Sequence, residues 1–401
     1  MRVLVLTETF PTVEHPGRGI FIRAQVTALA DCHEITVLFP RPWLPGVPSR
    51  WLESRARKLE TRTPFSDVLP VTLKRPPYLY VPRNREIRSR QLAALARREL
   101  FDSGEHYDLI HAHWLSPPGL AAIRAVADAP IPVVVTAHAG DVYRDLARSA
   151  YRLTARTVVG GATRIIAVAD YFRDPLESLG ADPDRMRIIP NGVDTRLFRP
   201  QDRGATRQAL DLPQECPLFL YVGNLEPAKG VLDTVHAFFS SAPEKARLLL
   251  AGTGSLWTDL ERQARHSEGR LILRGWQSHE SVSQYLAAAD CFVLPSYGEG
   301  NPVTVLESLC CGTTVIGSAI SALTALIKPG QNGLLVPAGA VSELGSAMQE
   351  ITRRRWDREV ISREAQSRFG WVTVAAQISS VYTEAVAECR SRSGMERVRQ
   401  S

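Results

Sequence analysis

Short apolar runs, each closed by a turn residue, recur along the chain and are mostly separated by segments of helical periodicity. RVLVL (2–6), EITVLF (34–39), DLIHAHW (108–114), IPVVVTA (131–137), TRIIAVA (163–169) and RMRIIP (185–190) form a first series of predicted strands. PLFLYVG (217–223), ARLLLAG (246–252), RLILRG (270–275), CFVLP (291–295) and TTVIGS (313–318) form a second. Strands alternating with helices imply parallel sheets covered on both faces, and two series imply two doubly wound α/β domains. The polar, glycine-bearing segment NGVDTRLFRPQDRG (191–204) is the expected joint. Residues 40–82, rich in proline and without periodicity, read as a long excursion of the first domain. Ligands of open parallel sheets bind beyond the carboxyl ends of the strands, and two such sheets facing each other would make a cleft there.

Almost every conspicuous polar residue falls just after a strand. In SYGEGNPVTVLESLCCG (296–312), Glu299 sits in the turn that follows CFVLP. Asn301 suits a helix N-cap, Pro302 the first helical position and Gly312 the stop. Glu307 then lies inside the helix, roughly 7–8 Å along the axis from Pro302. On its own either glutamate is an ordinary solvated carboxylate. Flanking a positive helix end, the two fit a nucleoside diphosphate sugar, with the pyrophosphate at the helix start, Glu307 on the ribose hydroxyls and Glu299 facing the sugar. YVGNLEPAKG (221–230) adds Lys229 near another helix start, and LLLAGTGSL (248–256) repeats the strand-to-glycine turn.

Composition narrows the class. The chain has 401 residues, suited to two domains, with 44% hydrophobic and 22% charged residues, as in a globular soluble protein. No run reaches the roughly 20 apolar residues of a membrane span, and Glu8 interrupts the first apolar run too early for a signal-peptide core. Six scattered cysteines without C-x-x-C spacing fit a reducing cytoplasm. The net charge of +6 is uneven: residues 41–100 hold 14 Lys and Arg against 5 Asp and Glu. RNREIRSRQLAALARREL (83–100) reads either as a solvated arginine-rich helix or as a surface for an anionic membrane or acceptor. Nucleic acid is disfavoured, because no aromatic-interleaved motif accompanies the charge.

E-G-x-P-x-x-x-x-E between an apolar strand and C-C-G resembles the signature of glycosyltransferase family 4, the retaining enzymes of GT-B fold, and in particular the bacterial exopolysaccharide and teichuronic-acid types. The resemblance runs over nearly the whole chain. It takes in FPTVEHPGRGIFIRAQ (10–25), VVVTAHAGDVY (133–143), IIPNGVDTRLF (188–198), YVGNLEPAKG, NGLLVPAG (332–339) and FGWVTVAAQISSVYTEA (369–385). It implies an N-terminal acceptor-binding Rossmann-like domain (1–196), a C-terminal donor-binding one (197–370), and a closing helix (371–390) that packs back on the first. Position by position, Lys229 would bind the donor diphosphate, Glu307 the ribose and Glu299 the sugar hydroxyls. His138 would lie near the forming bond, and Gly17 or Gly19 would bring backbone to the phosphate. The backbone around Gly300, Asn301 and Val303 would complete the cradle. His113 and Asp141 are acceptor-side candidates. Asn224 stands where the family usually has arginine, Ala139 where it has glycine, and Pro302 removes one N–H donor.

The implied reaction moves a hexose-type sugar from a nucleoside diphosphate sugar (UDP-sugar first, GDP-sugar second) to a hydroxyl of a glycan, lipid-linked or small-molecule acceptor, with retention. The product would serve cell-surface glycan or glycoconjugate synthesis, in the cytoplasm or at the inner membrane face. No cofactor or metal is required. DPD (182–184) matches metal-binding letters of another glycosyltransferase fold by coincidence, and His111 and His113 read as one core-facing and one cleft-facing residue. A sugar-nucleotide epimerase of the same architecture and a non-catalytic binder are the alternatives. Preserved Lys229, Glu299, Glu307 and His138 weigh against the second, and Asn224 favours it.

Overall fold

The structure is a computed structural model, which describes residues 1–12, 17–45, 70–82, 84–145 and 149–400. All eleven predicted strands are present in it. The described residues form two compact units, Met1–Asn191 with Val374–Ser401, and Gly192–Thr373.

The first unit holds a seven-stranded sheet. Across it lie Thr72–Lys74, Glu34–Leu38, Arg2–Leu6, Leu109–His113, Val133–Ala137, Arg164–Ala167 and Met186–Ile188. All neighbours pair in parallel. In chain order this is 3-2-1-4-5-6-7. The second unit repeats the plan with six parallel strands: Leu271–Gly275, Arg247–Ala251, Leu218–Val222, Cys291–Leu294, Thr314–Ser318 and Gly333–Val336. Its order is 3-2-1-4-5-6, the doubly wound Rossmann arrangement. Central strands such as Leu109–His113, Val133–Ala137 and Leu218–Val222 are buried at every residue, which explains their unbroken apolar runs. The order reverses beside the first strand of each unit, between Arg2–Leu6 and Leu109–His113 and between Leu218–Val222 and Cys291–Leu294. Those two points are where such sheets bind ligands.

The excursion at 40–82 is more structured than its composition implies. Thr72–Lys74 joins the main sheet as an edge strand, and Arg41–Trp43 pairs with Pro77–Leu79 in a small separate sheet. Three-residue edge strands carry too few side chains for a periodicity to show. Residues 46–69 of that segment, residues 13–16 of the first glycine loop and Arg83 lie outside the described residues.

The closing helix Trp371–Gln400 starts in the second unit, where Trp371 N donates to Val193 O at 3.1 Å. From Val374 onward it belongs to the first unit. Its stripe Val374, Ile378, Val381, Tyr382 and Ala385 is buried at helical spacing. Polar ties fix its register: Ser379 Oγ meets His33 Nε2 at 2.8 Å, and Glu384 accepts from Arg187 at 2.7 Å. Glu388 pairs with Arg164.

Candidate active site

In the second unit the chemistry gathers at the switch point. After Leu218–Val222 the chain runs through Gly223 and Asn224 to a short turn, Pro227–Lys229, and then the helix Val231–Ser241. After Cys291–Leu294 it runs through Ser296 and Glu299 to the helix Val303–Cys310. The two turns are fastened together. Tyr297 N donates to Ala228 O at 3.1 Å, and the Tyr297 hydroxyl donates to Asp233 at 2.7 Å. Gly230, at φ 66°, caps the first helix, and a Cβ there would lie 2.2 Å from Pro295 O, so only glycine permits this approach.

That packing brings Lys229 and Glu299 together across 70 residues of sequence: Nζ lies 2.7 Å from Oε1. Ser296 Oγ donates to the same oxygen at 2.7 Å. The ammonium expected on a diphosphate and the carboxylate expected on a sugar are thus partners of each other. Gly300, Asn301 and Val303 lie just beyond, half-buried, at the helix start. The helix begins one residue later than expected: Pro302 holds the cap position, and Asn301 is not the cap. Pro302 offers no side-chain cap to the first N–H groups of the helix.

Glu307 is on this helix and only 4% exposed. Among the described residues its carboxyl has no hydrogen-bond partner, and burial pushes that carboxyl up to about 8. Burial therefore favours the neutral acid at pH 7 over the expected carboxylate. Asn224 is exposed, and its carbonyl accepts from the Tyr221 hydroxyl at 2.7 Å. Glu226, which the sequence reading passed over, accepts from Ser255 N at 2.9 Å and Ser255 Oγ at 2.5 Å. It thereby joins the glycine turn after Arg247–Ala251 to this cluster.

In the first unit the candidate residues form a different object. His138 follows the strand Val133–Ala137, and His113 ends the neighbouring strand Leu109–His113. His113 Nδ1 and His138 Nε2 lie 3.1 Å apart and share a hydrogen bond, with their rings stacked. Phe21 and Trp114 pack on His138 at ring separations of 5.1 and 4.7 Å. Trp114 itself has φ 72°, a strained backbone for a bulky side chain and a signal no sequence pattern carried. Asp141 is fully buried and accepts from His138 N at 3.0 Å, Leu115 N at 3.1 Å and the Tyr151 hydroxyl. These contacts fix the loop that carries His138.

His111 and His113 do not split between core and cleft. Residues two apart on a strand share a face, and both are fully buried with ring centroids 4.6 Å apart. His111 is held by the Tyr382 hydroxyl at 2.7 Å and Thr136 Oγ1 at 2.8 Å. His113 Nε2 is buried without a partner. Burial pushes His111 and His138 down to about 3 and His113 well below its usual value, so all three rings are neutral at pH 7. Of the two candidate glycines, Gly19 is the one its position demands: it has φ 69°, and a Cβ would lie 2.9 Å from Thr9 backbone. Gly17 is exposed with open space around it.

DPD (182–184) is a capped turn in which Asp182 accepts from Asp184 N at 3.0 Å. Among the described residues no group of three or more His, Cys, Asp or Glu is placed to hold a metal ion.

Residues 17–197 match the family model Glycosyltransferase Family 4, and residues 216–354 match Glycosyl transferases group 1. The chain is 30% identical over 373 residues to the putative teichuronic acid biosynthesis glycosyltransferase TuaC of Bacillus subtilis, covering 90% of this chain and 92% of that protein. The chain belongs to glycosyltransferase family 4. A D-inositol 3-phosphate glycosyltransferase of Acidothermus cellulolyticus is 31% identical over 327 residues, covering 75% of this chain and 72% of the relative. Among solved structures, HepE of Anabaena in complex with UDP superposes with a TM-score of 0.68 at 19% identity, over 96% of this chain and all of that one. The family's GT-B fold, with its two Rossmann-like domains, accounts for the paired sheet orders described above.

Proposed function

We propose that this glycosyltransferase moves a hexose-type sugar, with retention, from a nucleoside diphosphate sugar to a hydroxyl acceptor in the synthesis of a bacterial cell-surface glycan. The observation that carries the reading is the second unit's switch point. There a Lys229–Glu299 pair and the start of the helix Val303–Cys310 stand beside a buried Glu307 whose hydrogen-bonding capacity is unused. The helix start and ammonium suit a diphosphate, and an unpartnered carboxyl suits a ribose diol.

UDP-sugars are the favoured donors, in keeping with the UDP complex of HepE, and GDP-sugars come second. The acceptor reading follows TuaC, named for teichuronic acid biosynthesis. In this mechanism charge develops on the departing diphosphate. Lys229 moves from Glu299 to the phosphate and, with the amides at the helix start, stabilises it. A phosphate oxygen takes the acceptor proton, and Glu299, relieved of the ammonium, holds the sugar. His138 and Gly19 enter through the family resemblance, His138 as a neutral hydrogen-bonding group. No step calls for a metal or cofactor. Among the described residues no helix is long and apolar enough to cross a membrane.

The test pairs binding with turnover. In a thermal-shift panel of nucleoside diphosphate sugars, a true donor at 100 times its Kd adds about 2.7 kcal/mol. With that donor, Lys229→Ala lowers kcat by roughly 10²–10³, as removal of a charge-stabilising donor does elsewhere. Slow donor hydrolysis without acceptor marks a transferase. A donor that binds without hydrolysis or transfer favours the non-catalytic reading that Asn224 raises.

A further inference from the structure

At the opposite end of the second unit's sheet, where Leu218–Val222, Cys291–Leu294 and Thr314–Ser318 begin, lies an open cavity of about 490 Å³. Its wall carries five guanidinium groups, Arg203, Arg207, Arg354, Arg355 and Arg358, against the carboxylates of Asp290 and Glu215. Asp290 is already shared. Arg207 lies 2.8 Å from Oδ2, Leu218 N donates to the same oxygen at 2.8 Å, and Arg203 contacts Oδ1.

Arg358 is half-buried and, among the described residues, its hydrogen bonds go to neutral acceptors, the carbonyls of Ala289 at 2.7 Å and Ala287 at 2.9 Å and the Thr313 hydroxyl at 2.9 Å, with Cys311 O farther away at 3.4 Å. Burial and the charge of Arg203 hold its pKa below the usual guanidinium value. Arg355 is exposed and, among the described residues, has no hydrogen-bond or ion-pair partner. Trp356 is half-buried, its indole N–H donating to Ile351 O at 3.2 Å and one face covered by Arg354 at 4.7 Å. The surplus of positive charge thus sits in a concave, partly desolvated place beside a fixed aromatic ring.

Guanidinium groups match phosphate in charge and in forked geometry. The cavity volume falls within the range of small-molecule sites, roughly 300–1,000 Å³. We propose that this cavity binds a small phosphorylated metabolite, its phosphate among Arg203, Arg355 and Arg358 and its organic part against Trp356. The site stands apart from the donor turns and does not depend on the reading given to them.

Glucose 1-phosphate and inorganic phosphate serve as probes. Lys229→Ala is the background, so that phosphate at the donor turns does not contribute. Glucose 1-phosphate changes tryptophan fluorescence saturably, and more tightly than inorganic phosphate does. Adding Trp356→Phe removes the fluorescence change while titration calorimetry still detects binding. Arg355→Glu, at an exposed position, weakens binding about tenfold or more, equivalent to about 1.4 kcal/mol. In the otherwise unaltered chain Arg355→Glu leaves UDP affinity unchanged, which separates this site from the donor site. No saturable response at millimolar probe, equal affinity for the two probes, or full binding by the Arg355→Glu protein overturns the proposal.

Discussion

The two units share a sheet order and a switch point, yet they equip that point with opposite chemistry. The second unit places an ion pair, Lys229 with Glu299, on two turns fastened together and keeps one carboxyl, Glu307, neutral by burial. The first unit gathers three buried imidazoles, all neutral, of which His113 and His138 are stacked, with Asp141 accepting from His138 N in the loop. A doubly wound fold therefore sets where a site lies and leaves its charge free. The second unit's ion pair stands at a helix start, where an anion gains from both the ammonium and the amides. A unit that presents neutral rings gains from packing that fixes their positions.

This contrast predicts opposite pH dependence of stability. A histidine whose folded pKa is depressed to about 3 is stable as the neutral ring. Below its ordinary value of 6.5 the unfolded chain binds the proton and the folded one does not, so stability is lost as pH falls from 6.5 toward 3. Between pH 6.5 and 5 the loss is roughly 2 kcal/mol per histidine. Hydrogen exchange, corrected for intrinsic rates, should show Leu109–His113 losing protection over that range while Leu218–Val222 does not. His138→Asn should remove about one histidine's share of the slope. Equal acid sensitivity of the two strands would abolish the distinction.

Glu307 runs the other way. Its folded pKa, about 8, lies above the unfolded value of 4.5. Stability is greatest below 4.5 and is lost as pH rises through the window up to 8, by roughly 3–4 kcal/mol between pH 5 and 8. The isosteric Glu307→Gln flattens that slope in the ligand-free protein, so its stability gains on the native chain as pH rises. If Glu307 holds the ribose as proposed, the variant also loses that acceptor, and UDP should bind about tenfold more weakly, in line with 1–2 hydrogen bonds of roughly 1 kcal/mol each. Denaturant titrations at pH 5 and 8 with and without UDP separate the two effects. A parallel pH slope in native and variant chains would mean that the carboxyl is ionised and solvated after all.

Much of this was legible from residues alone, and the remainder failed for identifiable reasons. Buried parallel strands announce themselves by unbroken apolar runs, so the eleven expected strands are all present. Thr72–Lys74 and Arg41–Trp43 did not, because three residues cannot display a period and prolines mask the pattern. The histidines at 111 and 113 were misread although strand alternation alone places i and i+2 on one face. That Lys229 meets Glu299 was invisible, since each follows a different strand and only the close approach at Gly230 joins them. The neutrality of Glu307 depends on burial from surrounding elements, which no local pattern records.

The smallest effect concerns charge that is already compensated. The basic stretch that distinguishes the first unit in sequence becomes the helix Arg85–Asp102, and several of its arginines have partners. Arg88 lies 3.3 Å from the Glu8 carboxylate, and the Arg85 guanidinium stands over the Tyr151 ring. Glu86 takes both Arg90 and Arg124 at 2.9 Å. Substituting Arg88 would thus disturb folding as well as any membrane contact, and the exposed Arg98 is the informative position. If the helix meets an anionic surface, Arg98→Gln should weaken binding to phosphatidylserine vesicles by about 1 kcal/mol, a roughly fivefold change that vanishes at high salt. Binding that is unchanged by this substitution and insensitive to salt would reduce the stretch to a solvated helix face. The contrast between the units would then rest on their buried groups alone.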